Sequence, residues 1–197
     1  MLSSTPSQIG SNLGCRFNVL NPRMVELHIG QVRRNPECSL GSVVSQRELF
    51  EQVAAARRAG RRIAFTNGCF DLLHPGHIRS LEQARSSGDC LVVAVNSDRS
   101  VREMKGPGRP LVDQNERAEL LAALAAVDWV VIFDEPTPER LIARLLPDVL
   151  VKGEDWAPGE IAGRAAVESA GGRVLRIPIE PGYSTSEIIQ RIRNQDA

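Results

Sequence analysis

From Ser45 onward, short runs of continuous apolar residues alternate with longer stretches whose apolar residues recur at helical spacing. The runs are "IAFTN" (63–67), "LVVAVN" (91–96), "DWVVIF" (128–133), "DVLVKG" (148–153) and "GRVLRIPI" (172–179). Strands that are apolar at successive positions are buried on both faces, as in a parallel sheet. Between them lie helical patterns. "SQRELFEQVAAARRAGRR" has Ser45 as a cap, Glu48 three residues on as a capping box, and Gly60 as a stop. "GHIRSLEQARSSG" ends at Gly88, and a further pattern covers 115–127. The stretch 137–146 has Thr137 at the cap and Pro138 in first position. Residues 160–170 and "STSEIIQRIRN" complete the set. The alternation predicts an α/β fold: a Rossmann-like, doubly wound, five-stranded parallel sheet with helices on both faces. Such sheets bind ligands beyond the carboxyl ends of their strands, at the point where the strand order reverses.

The predicted domain runs over 45–197. Residues 1–44, rich in Ser, Asn, Pro and Gly and without sustained periodicity, are expected to form a poorly ordered N-terminal extension. His28, in that segment, is given no role. Lys plus Arg and Asp plus Glu balance at 24 each, which argues against a nucleic-acid coat or a polybasic membrane anchor. No run is long and apolar enough to span a bilayer, and "MLSSTPSQIG" lacks a signal-peptide core. The four cysteines, Cys15, Cys38, Cys69 and Cys90, have no zinc-ligand spacing and read as reduced thiols of a cytoplasmic protein.

Neither G-x-G-x-x-G after a strand nor G-x-x-x-x-G-K-[ST] occurs. The first long strand is followed instead by "NGCFDLLHPGH". Gly68 allows a tight turn and a close approach of backbone N–H groups. Pro75 and Gly76 mark the entry of a helix, whose free N–H groups and dipole favour an anion. His74 and His77 fall on one side of its first turn and can both donate to phosphate oxygens. As a zinc pair they need a third ligand; Asp71 is available, but no further cluster completes a site, so no metal centre is expected.

Three more segments bear on this edge. "GYSTSEII" crowds Ser184, Thr185 and Ser186 at a helix start, either as ordinary capping, with Ser184 and Glu187 as a capping box, or as a second phosphate site. "MKGPGRP" (104–110) is a loop carrying Lys105 and Arg109, either solvated or a flap that closes on phosphates. "VKGEDW" (151–156) carries Lys152, Asp155 and Trp156 to the same edge, where the indole stacks on a base or covers the core.

"NGCFDLLHPGH" resembles the H-x-G-H signature of the nucleotidylyltransferase superfamily, and "GYSTSEII" is similar to its second signature. With "VAVNSDRSVREMKGPGRP", "AAVDWVVIF" and "PDVLVKGEDW", the stretch 45–193 most resembles the bacterial D-glycero-β-D-manno-heptose 1-phosphate adenylyltransferases. Tyr183 departs from the small or aliphatic residue usual there. Glu154 replaces a glycine, as in polyol-phosphate cytidylyltransferases. The resemblance implies transfer of AMP from ATP to a sugar 1-phosphate, giving ADP-heptose and pyrophosphate. The alternative is a cytidylyltransferase for glycerol phosphate or a related polyol or amino-alcohol phosphate. It implies catalytic roles for His74, His77 and Lys105. Nucleotide contacts would come from Cys69, Phe70, both histidines, Ser184, Thr185 and Ser186. Asp71, Asp98, Lys152 and Asp155 would attend the second substrate. Mg²⁺ would accompany ATP, a sugar kinase would be a separate protein, and a homodimer is compatible with the family.

Overall fold

The computed structural model describes residues 41–178 and 182–195. These belong to one unit, Val32–Ala197. Residues 1–40, with His28, Cys15 and Cys38, and the strand end predicted at Ile179 lie outside the described residues.

The strands are β1 (Ser42–Val43), β2 (Ile63–Gly68), β3 (Cys90–Asn96), β4 (Trp129–Phe133), β5 (Val149–Gly153) and β6 (Arg173–Ile177). They form one sheet in the order β1-β4-β3-β2-β5-β6, with every pairing parallel. The expected fold class stands, but the count of five strands is corrected to six. The addition, β1, is two residues long and pairs Ser42 with Trp129 and Val43 with Val130. Two residues carry no readable period, which is why the sequence concealed it.

The helices are α1 (Gln46–Arg58), α2 (Pro75–Ser86), α3 (Asp98–Lys105), α4 (Gln114–Ala122), α5 (Glu139–Leu145), α6 (Arg164–Ser169) and α7 (Thr185–Gln195), with a 3₁₀ turn at Pro158–Glu160. The Ser45–Glu48 capping box forms as expected: each partner satisfies the other's free N–H. Four details differ. Helix α3 was not foreseen. The pattern over 115–127 stops being helix at Ala122. Thr137 is not the cap of α5; Pro138 holds that position without a side-chain bond. The stretch 160–170 breaks at Gly163, whose φ of 80° starts α6 afresh, and an added Cβ there would lie 2.5 Å from Ile142.

The strands' side-chain alternation divides the core in two. Ile63, Phe65, Val92, Phe133 and Leu150 meet α1, α5 and α6 on one face. Ala64, Leu91, Val93, Val95 and Val130 meet α2 and α4 on the other. Each of the Val, Leu, Ile and Phe side chains, fully buried, contributes about 1.5–3 kcal/mol before entropy is counted. Carboxylates close the amino edge of the sheet: Asp148 accepts from Ile63 N at 2.7 Å, Asp128 from Leu91 N at 2.7 Å, and Asp89 from Arg62 N at 2.9 Å. The outer strand β6 carries exposed Arg173 and Arg176.

The chain winds from β2 through β3 to β4, then crosses back to set β5 on the other side of β2. The reversal therefore falls between β2 and β5; "NGCFDLLHPGH" follows the first of these strands and "VKGEDW" spans the end of the second.

Candidate active site

Beyond Gly68 the chain turns through Cys69 and Phe70, whose φ of 49° is left-handed, a rare state for an aromatic residue. The Phe70 ring folds back over the turn; a Cβ on Gly68 would come within 3.1 Å of it. Phe70 meets the His77 ring edge-on at 5.3 Å.

Helix α2 begins at Pro75, and its cap is His74 itself. The backbone N–H of His77 donates to His74 O at 2.9 Å and to His74 Nδ1 at 3.3 Å. An Nδ1 that accepts carries no proton, so His74 keeps its proton on Nε2, as a donor for a ligand. The two imidazoles stack 3.8 Å apart at 17°. His77 Nδ1 is buried and is the one buried side-chain polar atom without a partner among the described residues. Burial, then the charges of His74 and Lys105, hold the His77 pKa down to about 4, with the Leu72 carbonyl opposing. Burial also lowers that of His74. His74 thus presents one defined donor, while the His77 ring lies buried beside the Leu72 carbonyl.

The late helix reaches this turn. Thr185, first residue of α7, donates from Oγ1 to Leu72 O at 3.4 Å. Tyr183 lies against the start of α2: an added Cβ on Gly76 would meet Tyr183 Cβ at 2.9 Å and His74 Nδ1 at 3.1 Å. Its ring faces His74 at 6.3 Å and takes the Arg79 guanidinium at 5.2 Å. The starts of α2 and α7, with Ser184, Thr185 and Ser186, are thus brought together. Only glycine at position 76 permits that approach.

Lys105 ends α3 and is exposed; its charge acts on both His77 and Cys69. Burial pushes the Cys69 thiol up, away from nucleophilic use. The loop after Lys105 is held from below. Asp71, 2% exposed, accepts from Leu111 N at 2.7 Å, from Val112 N at 2.9 Å and from Arg109. Arg117, wholly buried on α4, donates to Val112 O at 2.9 Å, Asn96 O at 2.9 Å, Cys69 O and Asp98 Oδ1 at 2.7 Å. One guanidinium therefore ties the ends of β2 and β3 to the loop. Sequence reasoning missed Arg117. Its partners lie up to 48 residues away and leave no spacing pattern.

Asp71 and Asp98 are thus engaged inside the protein. Asp98 also lines, with Arg99, Arg102 and Asp134, a hollow of about 760 Å³ whose lining includes neither histidine. Lys152 lies at the reversal point and donates from Nζ to Asn67 Oδ1. Trp156 faces that ammonium at 5.3 Å and is 46% exposed, while Asp155 stands exposed beside it. Among the described residues no group of three His, Cys, Asp or Glu could hold a metal ion, and no helix is long and apolar enough to cross a membrane.

A parallel sheet, a histidine pair at a helix start beyond its reversal point, and a hydroxyl-rich helix facing it are features expected of a nucleotidyltransferase. The chain belongs to the cytidylyltransferase-like family, whose model matches residues 65–191. Among curated relatives, the "Bifunctional protein HldE" of Koribacter versatilis is 59% identical over 149 residues, 76% of this chain and 31% of the relative. Proteins of the same description from Aeromonas hydrophila and Haemophilus influenzae are 54% and 50% identical, over 78% and 82% of this chain and 32% and 34% of theirs. The chain thus spans about a third of the length of the curated relatives it matches. Among solved structures, "the lipopolysaccharide core biosynthesis protein from Thermoplasma volcanium GSS1" is 30% identical with a TM-score of 0.51, covering 61% of this chain and 98% of its own.

Proposed function

We propose that the chain is an adenylyltransferase that moves AMP from ATP to D-glycero-β-D-manno-heptose 1-phosphate, releasing pyrophosphate and ADP-heptose. The observation that carries this reading is the convergence of the α2 and α7 starts on the stacked His74–His77 pair. Two anion-favouring helix ends suit an extended polyphosphate. Heptose is supported by the likeness of "TNGCFDLLHPGH", "VAVNSDRSVREMKGPGRP" and "AAVDWVVIF" to heptose enzymes, against the lean of Glu154, and by relatives described as HldE and as a lipopolysaccharide core biosynthesis protein.

The acceptor's phosphate oxygen attacks the α-phosphorus of ATP. The bond to the bridging oxygen of the β-phosphate breaks, and pyrophosphate leaves with that electron pair. A phosphate monoester has its second pKa at about 6, so the nucleophile is already ionised and needs no general base. The protein's work is positioning and stabilising charge. His74 donates from Nε2 to a nonbridging oxygen. His77, held neutral by burial, donates the ring N–H it already carries as charge develops. Lys105 closes from the loop that Asp71 and Arg117 anchor, so these two act as positioning residues. Cys69 and Phe70 shape the nucleotide side, while Ser184, Thr185 and Ser186 bind from α7. Asp98 steadies Arg117, Asp155 faces the second substrate, and Lys152 stands where the second substrate meets the transferred phosphoryl group. The described side chains offer no metal cage; Mg²⁺ fits here as an ion carried by the triphosphate and water, offsetting phosphate charge.

A pyrophosphate-release assay crossing ATP and CTP with heptose 1-phosphate, glycerol phosphate and phosphoethanolamine tests this reading. The expected best pair is ATP with the heptose. CTP with a polyol or amino-alcohol phosphate would replace it with the cytidylyltransferase alternative. His77→Ala is expected to cut turnover on the order of 100-fold or more while keeping the fold, the scale of losing one transition-state donor. Near-normal release would remove His77 from the mechanism.

A further inference from the structure

Lys152 is the penultimate residue of β5, and Asn67 is the penultimate residue of β2. These strands are neighbours, and the winding reverses between them. The Lys152 ammonium therefore stands in the crevice where such folds place ligands. It is 8% exposed. Its hydrogen bond goes to a neutral amide oxygen, and the Trp156 ring lies 5.3 Å away. Among the described residues no carboxylate forms an ion pair with it; Asp155 acts on it only at longer range. An ammonium has three donors. Burying one without a counter-charge is costly, and natural structures rarely keep such a group unless something supplies the anion. Simple packing would be served better by an apolar side chain of the same length.

We propose that Lys152 is a phosphate ligand of the reaction, parked on Asn67 in the free protein and given its counter-charge by the phosphoryl group under transfer. This rests on the nucleotidylyl-transfer reading and adds a specific cation on the β5 side, opposite the histidines. Asn67 is then a positioning residue: its amide oxygen holds the ammonium without neutralising it, leaving two N–H bonds for the ligand.

The groups facing Lys152 are Asp155 after β5, Cys69 after β2, and Arg176, its register partner on β6. Burial holds its pKa down to about 8, with Asp155 and Cys69 opposing. The protonated form is the competent one, so kcat/KM falls as pH rises through about 8. Arginine in its place would stay charged and lose that limb.

The test uses the full chain with Lys152→Met and Lys152→Arg. Lys152→Met is expected to lower kcat/KM on the order of 100-fold, as for loss of one charge-stabilising donor. It is also expected to raise Tm, because an uncompensated buried charge is gone. Lys152→Arg is expected to keep more activity and to abolish the alkaline limb. A Lys152→Met enzyme within about threefold of wild type would overturn the proposal. If that variant loses both activity and stability, NMR of the labelled lysine Cε and Nζ decides. Titration with inorganic tripolyphosphate is expected to shift the Lys152 signals and raise its pKa, and unmoved signals would overturn the proposal. That titration does not depend on turnover. Wild-type protein that releases no pyrophosphate with any pair, yet shows the shift, would refute the transfer reading and leave the ligand assignment standing.

Discussion

His74 does two jobs with one ring. Its Nδ1 caps α2, and the same bond fixes the proton on Nε2. Gly76 makes the arrangement possible, since a methyl group there would press on both Tyr183 Cβ and His74 Nδ1. Gly76→Ala is therefore expected to lower stability by about 1–3 kcal/mol, the usual cost of overpacking. Turnover is expected to fall further than stability, because the ring that moves is the one proposed to hold phosphate. Thermal melts and pyrophosphate release on one preparation check both; an unchanged kcat would separate Gly76 from the site. The two histidines were legible because a spacing of three on a helix start is a local pattern. The commitment of Asp71 was not. Its partners, Arg109, Leu111 and Val112, lie about 40 residues on, and nothing near "FDLL" points to them.

At the scale of elements, the loop after α3 is fixed on its far side. Lys105 closes α3 just before it, while Asp71 and Arg117 hold residues 109–112 to the ends of β2 and β3. Asp71→Ala strands two backbone N–H groups and the Arg109 cation. The expected loss is about 3–5 kcal/mol of stability, as for breaking a buried ion pair. Hydrogen exchange is expected to quicken at 111–112 ahead of β3, and protection unchanged there would show that Arg117 alone anchors the loop. Helix α3 itself escaped the sequence because Ser100 and Val101 are its only buried residues, too few for an apolar period. Its cap, Ser97 receiving Ser100 N at 3.1 Å, begins one residue after β3 ends, leaving no loop to announce it. The apolar strands β2 to β5 were readable for the converse reason: burial on both faces forbids polar interruptions.

At the scale of the molecule, the proposed site draws on both sides of the reversal point. Phe70, His74 and His77 follow β2, Lys152 is the penultimate residue of β5, and Thr185 opens α7. A ligand that touches all of them joins the two halves of the winding. ATP at about 100 times its Kd is therefore expected to stabilise the folded chain by about 2.7 kcal/mol, seen as a rise in Tm. His77→Ala is expected to shrink that rise at the same ATP concentration, whereas an equal rise would place the nucleotide elsewhere.

The ends of the described sheet are guarded in different ways. At one edge, β1 offers only two residues for pairing, too short a template for a further strand. At the other, β6 presents Arg173 and Arg176, whose charges and hydration oppose docking of a second β6 edge to edge. A fully parallel sheet with a nearly all-apolar centre is a natural seed for aggregation while it assembles. Here the centre is sealed between layers, and among the described residues one margin is too short and the other too charged to invite a further strand.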